Sequence, residues 1–148
     1  MKVMQLARHV LVVALGCLSA ATAGAHHSYA MFDGTRTLKV TGTVAQIEWT
    51  NPHVFVWVYV RNDAREGGYD LYAFENGGPN MLARRGWSKT MFAADEAVTV
   101  EYWPLSDGRT GGHLASVTRA DGTVIRGDGG PLATGRPTEP VTPAGRAP

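Results

Sequence analysis

The stretch His53-Val54-Phe55-Val56-Trp57-Val58-Tyr59-Val60-Arg61 decides the fold. Strand side chains alternate faces with a period of 2. Val54, Val56, Val58 and Val60 therefore point one way, and His53, Phe55, Trp57 and Tyr59 the other. β-Branched and aromatic residues suit a pleated surface, so the segment reads as a strand with a valine face turned inward. Upstream, Leu38, Val40, Gly42 and Val44 alternate with Lys39, Thr41 and Thr43, after which Ile47 and Trp49 take over the apolar phase. A phase slip within one strand predicts a bulge or sharp bend, which Gly42 would ease. Asn51-Pro52 then supplies the turn into the valine strand.

Beyond it, residues 62–68 form a polar loop and residues 69–75 a third strand. Gly77-Gly78-Pro79-Asn80 breaks that strand and opens a short helix containing Met81, Leu82 and Arg85, which Gly86 ends. Residues 98–102 make a fourth strand stopped by Pro104, residues 113–119 a fifth, and Asp121-Gly122 a hairpin turn returning through Val124 and Ile125. Five to six strands, with one short helix between strands three and four and a bent first strand, predict a mainly β, OB-like barrel. A β-sandwich with the same strands is the alternative.

The two ends of the chain read differently from the middle. Lys2 and Arg8 precede the apolar run of residues 10–18, and Ala23-Gly24-Ala25 offers a signal-peptidase site, so residues 1–25 read as a secretory signal peptide. The run is far short of the ~20 apolar residues of a spanning helix. Ala14-Leu15-Gly16-Cys17 lacks the branched residue usual in a lipoprotein signal. Residues 26–126 form the expected domain. Residues 127–148 carry five of the eight prolines and few large apolar side chains, the composition of a disordered tail. Without the leader the chain keeps twelve basic and thirteen acidic residues, a net charge of −1, and no cysteine. Such a balance offers no basic field for nucleic acid. The expected location is the periplasm or the cell exterior, with no membrane span.

Four motifs carry a resemblance. His26-His27-Ser28-Tyr29-Ala30-Met31-Phe32-Asp33, Trp49-Thr50-Asn51-Pro52-His53, Pro79-Asn80-Met81-Leu82-Ala83-Arg84-Arg85-Gly86-Trp87 and Gly111-Gly112 occur in that order. Together they resemble an uncharacterised family of short exported bacterial proteins, known only as a domain of unknown function, over residues 26–126. Asp95-Glu96 departs from the pattern, because similar proteins tend to carry Gly before the acid. The resemblance implies export and a shared fold and brings no activity.

Two constellations carry candidate chemistry. Cleavage after Ala25 would expose the amine of His26 beside His27, and an amine with its own imidazole chelates copper. His53 or His113 would complete that metal site, so His26, His27, His53 and His113 are the candidate ligands. Cleavage after Ala23 would start the chain Gly24-Ala25-His26, also a Cu(II)-chelating terminus. The second constellation is the outward stripe Phe55, Trp57 and Tyr59, a ligand platform on an OB-type barrel that would stack sugar rings or extended peptides. Burial under residues 29–32 or under the helix is the competing reading. Gly77-Gly78 with Arg84 and Arg85 is a weaker anion-site candidate. No nucleophilic cysteine or G-x-S-x-G elbow is present, and Glu48 beside His53 is the one general-base candidate. The sequence thus favours a binding or accessory module for a small ligand or periplasmic protein, with copper binding as the alternative and an enzyme third.

Overall fold

Alternation along the chain becomes a closed wall in the structure. A computed structural model describes residues 29–64, 66–129 and 138–140. The leader, His26, His27 and most of the expected tail lie outside the described residues. Strands β1 (Thr37–Trp49), β2 (Val54–Arg61) and β3 (Tyr69–Asn76) form an antiparallel meander. Helix α1 (Pro79–Arg84) leads to β4 (Ala97–Pro104), and β5 (Gly111–Arg119) follows antiparallel to it. The sheet order is β2-β3-β5-β4-β1, and β1 also pairs with β2, so five strands close into a ring. β3 and β5 meet in parallel at Ala73–Gly111, Phe74–Gly112 and Glu75–His113. This mainly β, OB-like barrel with a helix between strands three and four is the architecture expected from sequence. Strand β6 (Val124–Arg126) pairs with β5 outside the ring.

The bent first strand makes closure possible. Residues Leu38 to Thr43 pair with β4, and Gly42 to Trp49 pair with β2, so Gly42 and Thr43 belong to both ladders. Ala45 is the extra residue of a bulge between Val44 and Gln46, which accounts for the phase slip. At Gly42 the chains approach so closely that a Cβ would lie 2.2 Å from the Tyr59 carbonyl oxygen. Glycine is needed here for space.

Inside the ring, Val54, Val56 and Val58 are fully buried and Val60 is nearly so, packed with Val40, Val44, Phe74, Val98, Val100, Leu114 and Val117. Each fully buried valine or leucine contributes about 1.5–3 kcal/mol. One end of the barrel is plugged by α1. Pro79 begins that helix with its φ preset, Gly86 at φ +85° ends it, and Leu82 is completely buried. Trp87 and Phe92 pack edge to face beside it with ring centroids 5.9 Å apart. The indole N–H of Trp87 donates to the Arg126 carbonyl at 2.9 Å.

Two described pieces of chain lie beyond the expected boundary at Arg126. Gly127 and Asp128 are buried, and the Gly127 N–H donates to the Ala115 carbonyl at 2.9 Å. Thr138–Pro140 forms β7, parallel to the start of β1. Backbone hydrogen bonds and one buried carboxylate hold Gly127 and Asp128, with no need of large apolar side chains. Asp95 is the one non-glycine residue at positive φ among the described residues, at 61°. An L side chain in that region is strained.

Gly42→Ala should lower stability by about 1–3 kcal/mol, because a backbone carbonyl must move to admit the methyl group. Thermal unfolding would register this as a drop of roughly 4–8 °C per kcal/mol. An unchanged midpoint would show that the corner yields freely.

Candidate functional site

Side chains that point away from the barrel interior fall into two groups. The first is a row of register partners running across four strands: Trp103 on β4 faces His113 on β5, which faces Glu75 on β3, which faces Phe55 on β2. Glu48 on β1 lies opposite Phe55. His113 is buried, its ring stacked on Trp103 at 5.2 Å with 8° between planes and tilted against Phe32 at 5.3 Å. Its Nε2 meets Asp128 Oδ1 at 2.9 Å, and both side chains are under 5% exposed (3% and 4%). Asp128 is itself held by its N–H on Asn76 Oδ1 at 2.9 Å and by Arg85, which donates to its carbonyl. The same Asn76 oxygen accepts the Gly77 N–H at 2.9 Å.

His53 stands just before β2, with Nδ1 2.7 Å from Glu75 Oε1 and its side chain 34% exposed. Burial pushes the Glu75 carboxyl above its ordinary value. His53 and His113 pull it down, and Asp128 pushes it further up. Glu75 is thus the centre of the cluster, between one half-exposed and one buried histidine. The general-base candidate Glu48 does something else: its Oε2 accepts the Trp57 indole N–H at 3.1 Å. The strand register places Glu75, and not Glu48, beside His53.

The anion-site reading of the Gly77-Gly78 loop does not hold. The Gly77 N–H is committed to Asn76, the helix has only six residues, and Arg85 is turned to the carbonyls of Gly127 and Asp128. Of the four proposed metal ligands, His53 and His113 flank Glu75, while His26 and His27 lie outside the described residues. Among the described residues no group of three His, Cys, Asp or Glu side chains converges as a cation site.

The second group is the aromatic stripe. Phe55 and Trp57 are half-buried, with ring centroids 6.2 Å apart, and Tyr59 is 45% exposed. Tyr59 lies opposite Leu71, and Arg61 opposite Tyr69; Leu71 and Tyr69 are also exposed. Phe32, expected among the residues covering the stripe, packs on His113. Beside the stripe opens a groove of about 460 Å³ lined by Thr41, Gly42, Thr43, Tyr59, Arg61, Tyr69 and Asp95. Arg61 is fixed at its mouth by Asp63 at 2.7 Å, and that hydrogen bond, with Tyr69 nearby, raises its pKa.

Residues 14–115 match a family of unknown function (DUF6152). The chain belongs to that family. No curated protein and no solved structure matches the chain. The DUF6152 match spans β1 to β4 and reaches Ala115 within β5, so it takes in His53, Glu75, His113 and the stripe but stops short of Asp128. Among the described residues no helix is long and apolar enough to cross a membrane. Sequence reasoning missed Asp128, which sits in a glycine-rich run, and Tyr69, which reads simply as a strand start. Glu75 carried one signal: it is an acid at an outward position, next to the inward Phe74.

Two outcomes follow from this geometry. Asp128→Ala should destabilise the domain by about 1–3 kcal/mol, because a buried imidazole nitrogen loses its acceptor. Urea unfolding would measure this, and a loss near zero would mean the segment after β6 adds nothing to the fold. Glu75 makes a pH-dependent contribution of known sign. Because burial favours its protonated form, the folded chain keeps this proton to higher pH than the unfolded chain. Its favourable contribution is complete below the ordinary value of 4.5 and is lost as pH rises through the raised one. Glu75→Gln should therefore gain stability relative to the native chain across that interval, and parallel urea-stability curves between about pH 4 and about pH 8 would refute it.

Proposed function

We propose that the chain is an exported periplasmic binding module without catalytic activity, and that it docks a saccharide on the outer face of β2 and β3. The observation that carries this reading is the groove beside the stripe, where Tyr59 and Tyr69 are 45% and 52% exposed. A sugar ring offers C–H faces to aromatic rings and hydroxyls at its edge. Tyr59 and Tyr69 supply the first kind of contact; Thr41, Thr43, Asp95 and Arg61 supply the second. OB-type barrels use this face for oligonucleotides or oligosaccharides. Oligonucleotide binding draws on many cationic contacts. The whole chain has a net charge of only +1, and the cationic groups bordering this groove come down to Arg61, already paired with Asp63. Export rests on the leader-like order of Lys2, Arg8, the apolar run and Ala23-Gly24-Ala25.

Tyr59→Ala and Tyr69→Ala should each weaken binding of soluble oligosaccharides about tenfold, the value of one stacking contact of ~1.4 kcal/mol. Both side chains are exposed, so the thermal midpoint should stay put. Calorimetric titration against a panel of neutral oligosaccharides decides the matter; no binding by the native chain sinks the reading.

One observation favours copper binding as a second reading. The His53 Nδ1 is engaged by Glu75, leaving Nε2 as the donor atom, and metal-ligating histidines commonly give their other nitrogen to a carboxylate. His26 and His27 would supply the remaining ligands. Under this reading, His53→Ala and a His26/His27 double alanine variant each lower Cu(II) affinity at least tenfold in the processed protein, and equal affinity in all three excludes it.

A further inference from the structure

We propose that residues 141–148 dock in cis along the groove beside the aromatic stripe, as a polyproline strap that any other ligand of the groove must displace. The strap would regulate the groove of the saccharide reading, but its docking stands on strand register and needs no sugar.

Register brings the segment to the groove. β1 carries β4 on one edge and β2 on the other, and the two ladders overlap at Gly42 and Thr43. Before Gly42 the second edge is left over. β7 takes it, with Thr138, Glu139 and Pro140 beside Thr37, Leu38 and Lys39. Because β7 runs parallel to β1, the chain leaves Pro140 heading for Gly42, where Val60 already holds the edge. It cannot go on as a strand. The barrel interior is filled at this level by Val40 and Val60, both buried. The outer face is the way open, and there Thr41, Thr43, Tyr59 and Arg61 line the groove.

The spacing of the segment matches the length of the groove. Pro140, Pro143 and Arg146 recur every third residue, the period of a polyproline helix, and so share one edge of it. Such helices dock in aromatic-lined grooves because they are already extended before they bind. At the polyproline rise, Pro143 lies about 9 Å beyond Pro140 and Arg146 about 19 Å. At the strand rise, Lys39 to Thr43, which pairs with Tyr59, is about 13 Å, and Lys39 to Val44 about 17 Å. The Val44 carbonyl accepts the N–H of Asp95 at 2.8 Å, so that exposed acid marks the far end of the groove. Pro143 then comes level with Thr41 to Thr43 and the exposed ring of Tyr59. Arg146, the one charged side chain of residues 141–148, comes level with Asp95. Proline suits an aromatic face and guanidinium a carboxylate, and the two follow in the same order along segment and groove.

The test compares amide NMR spectra of the full processed chain and of a Pro143→Asp/Arg146→Glu variant, whose two changes lie beyond β7. The amides of Thr41, Thr43, Tyr59 and Tyr69 should shift between the two forms, and those of α1 should not. A synthetic peptide of residues 141–148 should bind the variant and return those signals toward their native positions. It should bind the native chain at least tenfold more weakly, because the tethered segment competes with it. Adding Tyr59→Ala to the variant should weaken the peptide about tenfold. Unmoved groove amides, or equal peptide affinity for both forms, overturns the proposal. So does a native dimer that the variant dissolves, which would put the segment in a second copy's groove. Oligosaccharide titration of both forms is read separately. Sugar binding without groove shifts overturns the strap alone, whereas a docked strap with no sugar bound by either form overturns the saccharide reading alone.

Discussion

The domain depends on β1 being paired on both edges by two different strands. A sheet of five strands has two exposed edges, and closure removes them only if one strand can turn a corner while staying hydrogen-bonded. Gly42 and Thr43 sit at that corner and belong to both ladders. The close approach to the Tyr59 carbonyl leaves no room for a side chain at Gly42, and the bulge at Ala45 then restores the inward phase for Ile47 and Trp49. The valine row fills the space so enclosed. Small β-branched side chains are stiff and lose little freedom there, and they pack a narrow interior without voids.

Closure also decides which surface is left for function. Once the valines are inside, every second residue of β2 must face outward, and Phe55, Trp57 and Tyr59 are large groups for which the interior has no room. Their neighbours come from other strands. β3 brings Tyr69 and Leu71 alongside, and β1 brings Thr41 and Thr43. Toward the end closed by α1 the same face becomes polar, with Glu75 between His53 and the His113–Asp128 pair. Apolar and charged functions are thus separated along one barrel face.

The buried polar cluster does structural work of its own. An imidazole and a carboxylate taken out of water destabilise a fold unless they are paired, and here the bond to Asp128, with stacking on Trp103 and contact with Phe32, offsets part of that cost. Asp128 in turn is tied through its backbone to Asn76 and Arg85. Asp128, just after β6, is therefore fastened to the end of β3 and to the residue that follows α1.

The period of 2 in residues 53–61, the phase slip after Val44 and the Gly-Pro helix start were enough to read strands, bend and helix from the chain, because each is a local preference set within a few residues. The aromatic stripe was legible for the same reason. The partners of those residues were not. Which acid meets His53 is a matter of register between β2 and β3, and register joins positions about twenty residues apart that no spacing rule connects. Asp128 was invisible because its partners, His113 and Asn76, come from distant parts of the chain, and His113 is itself placed by Trp103 and Phe32. The sequence by itself determined an alternating, bent, helix-interrupted β-chain. Only the tertiary structure decided which outward side chains became neighbours, since that choice follows from how the ring closes.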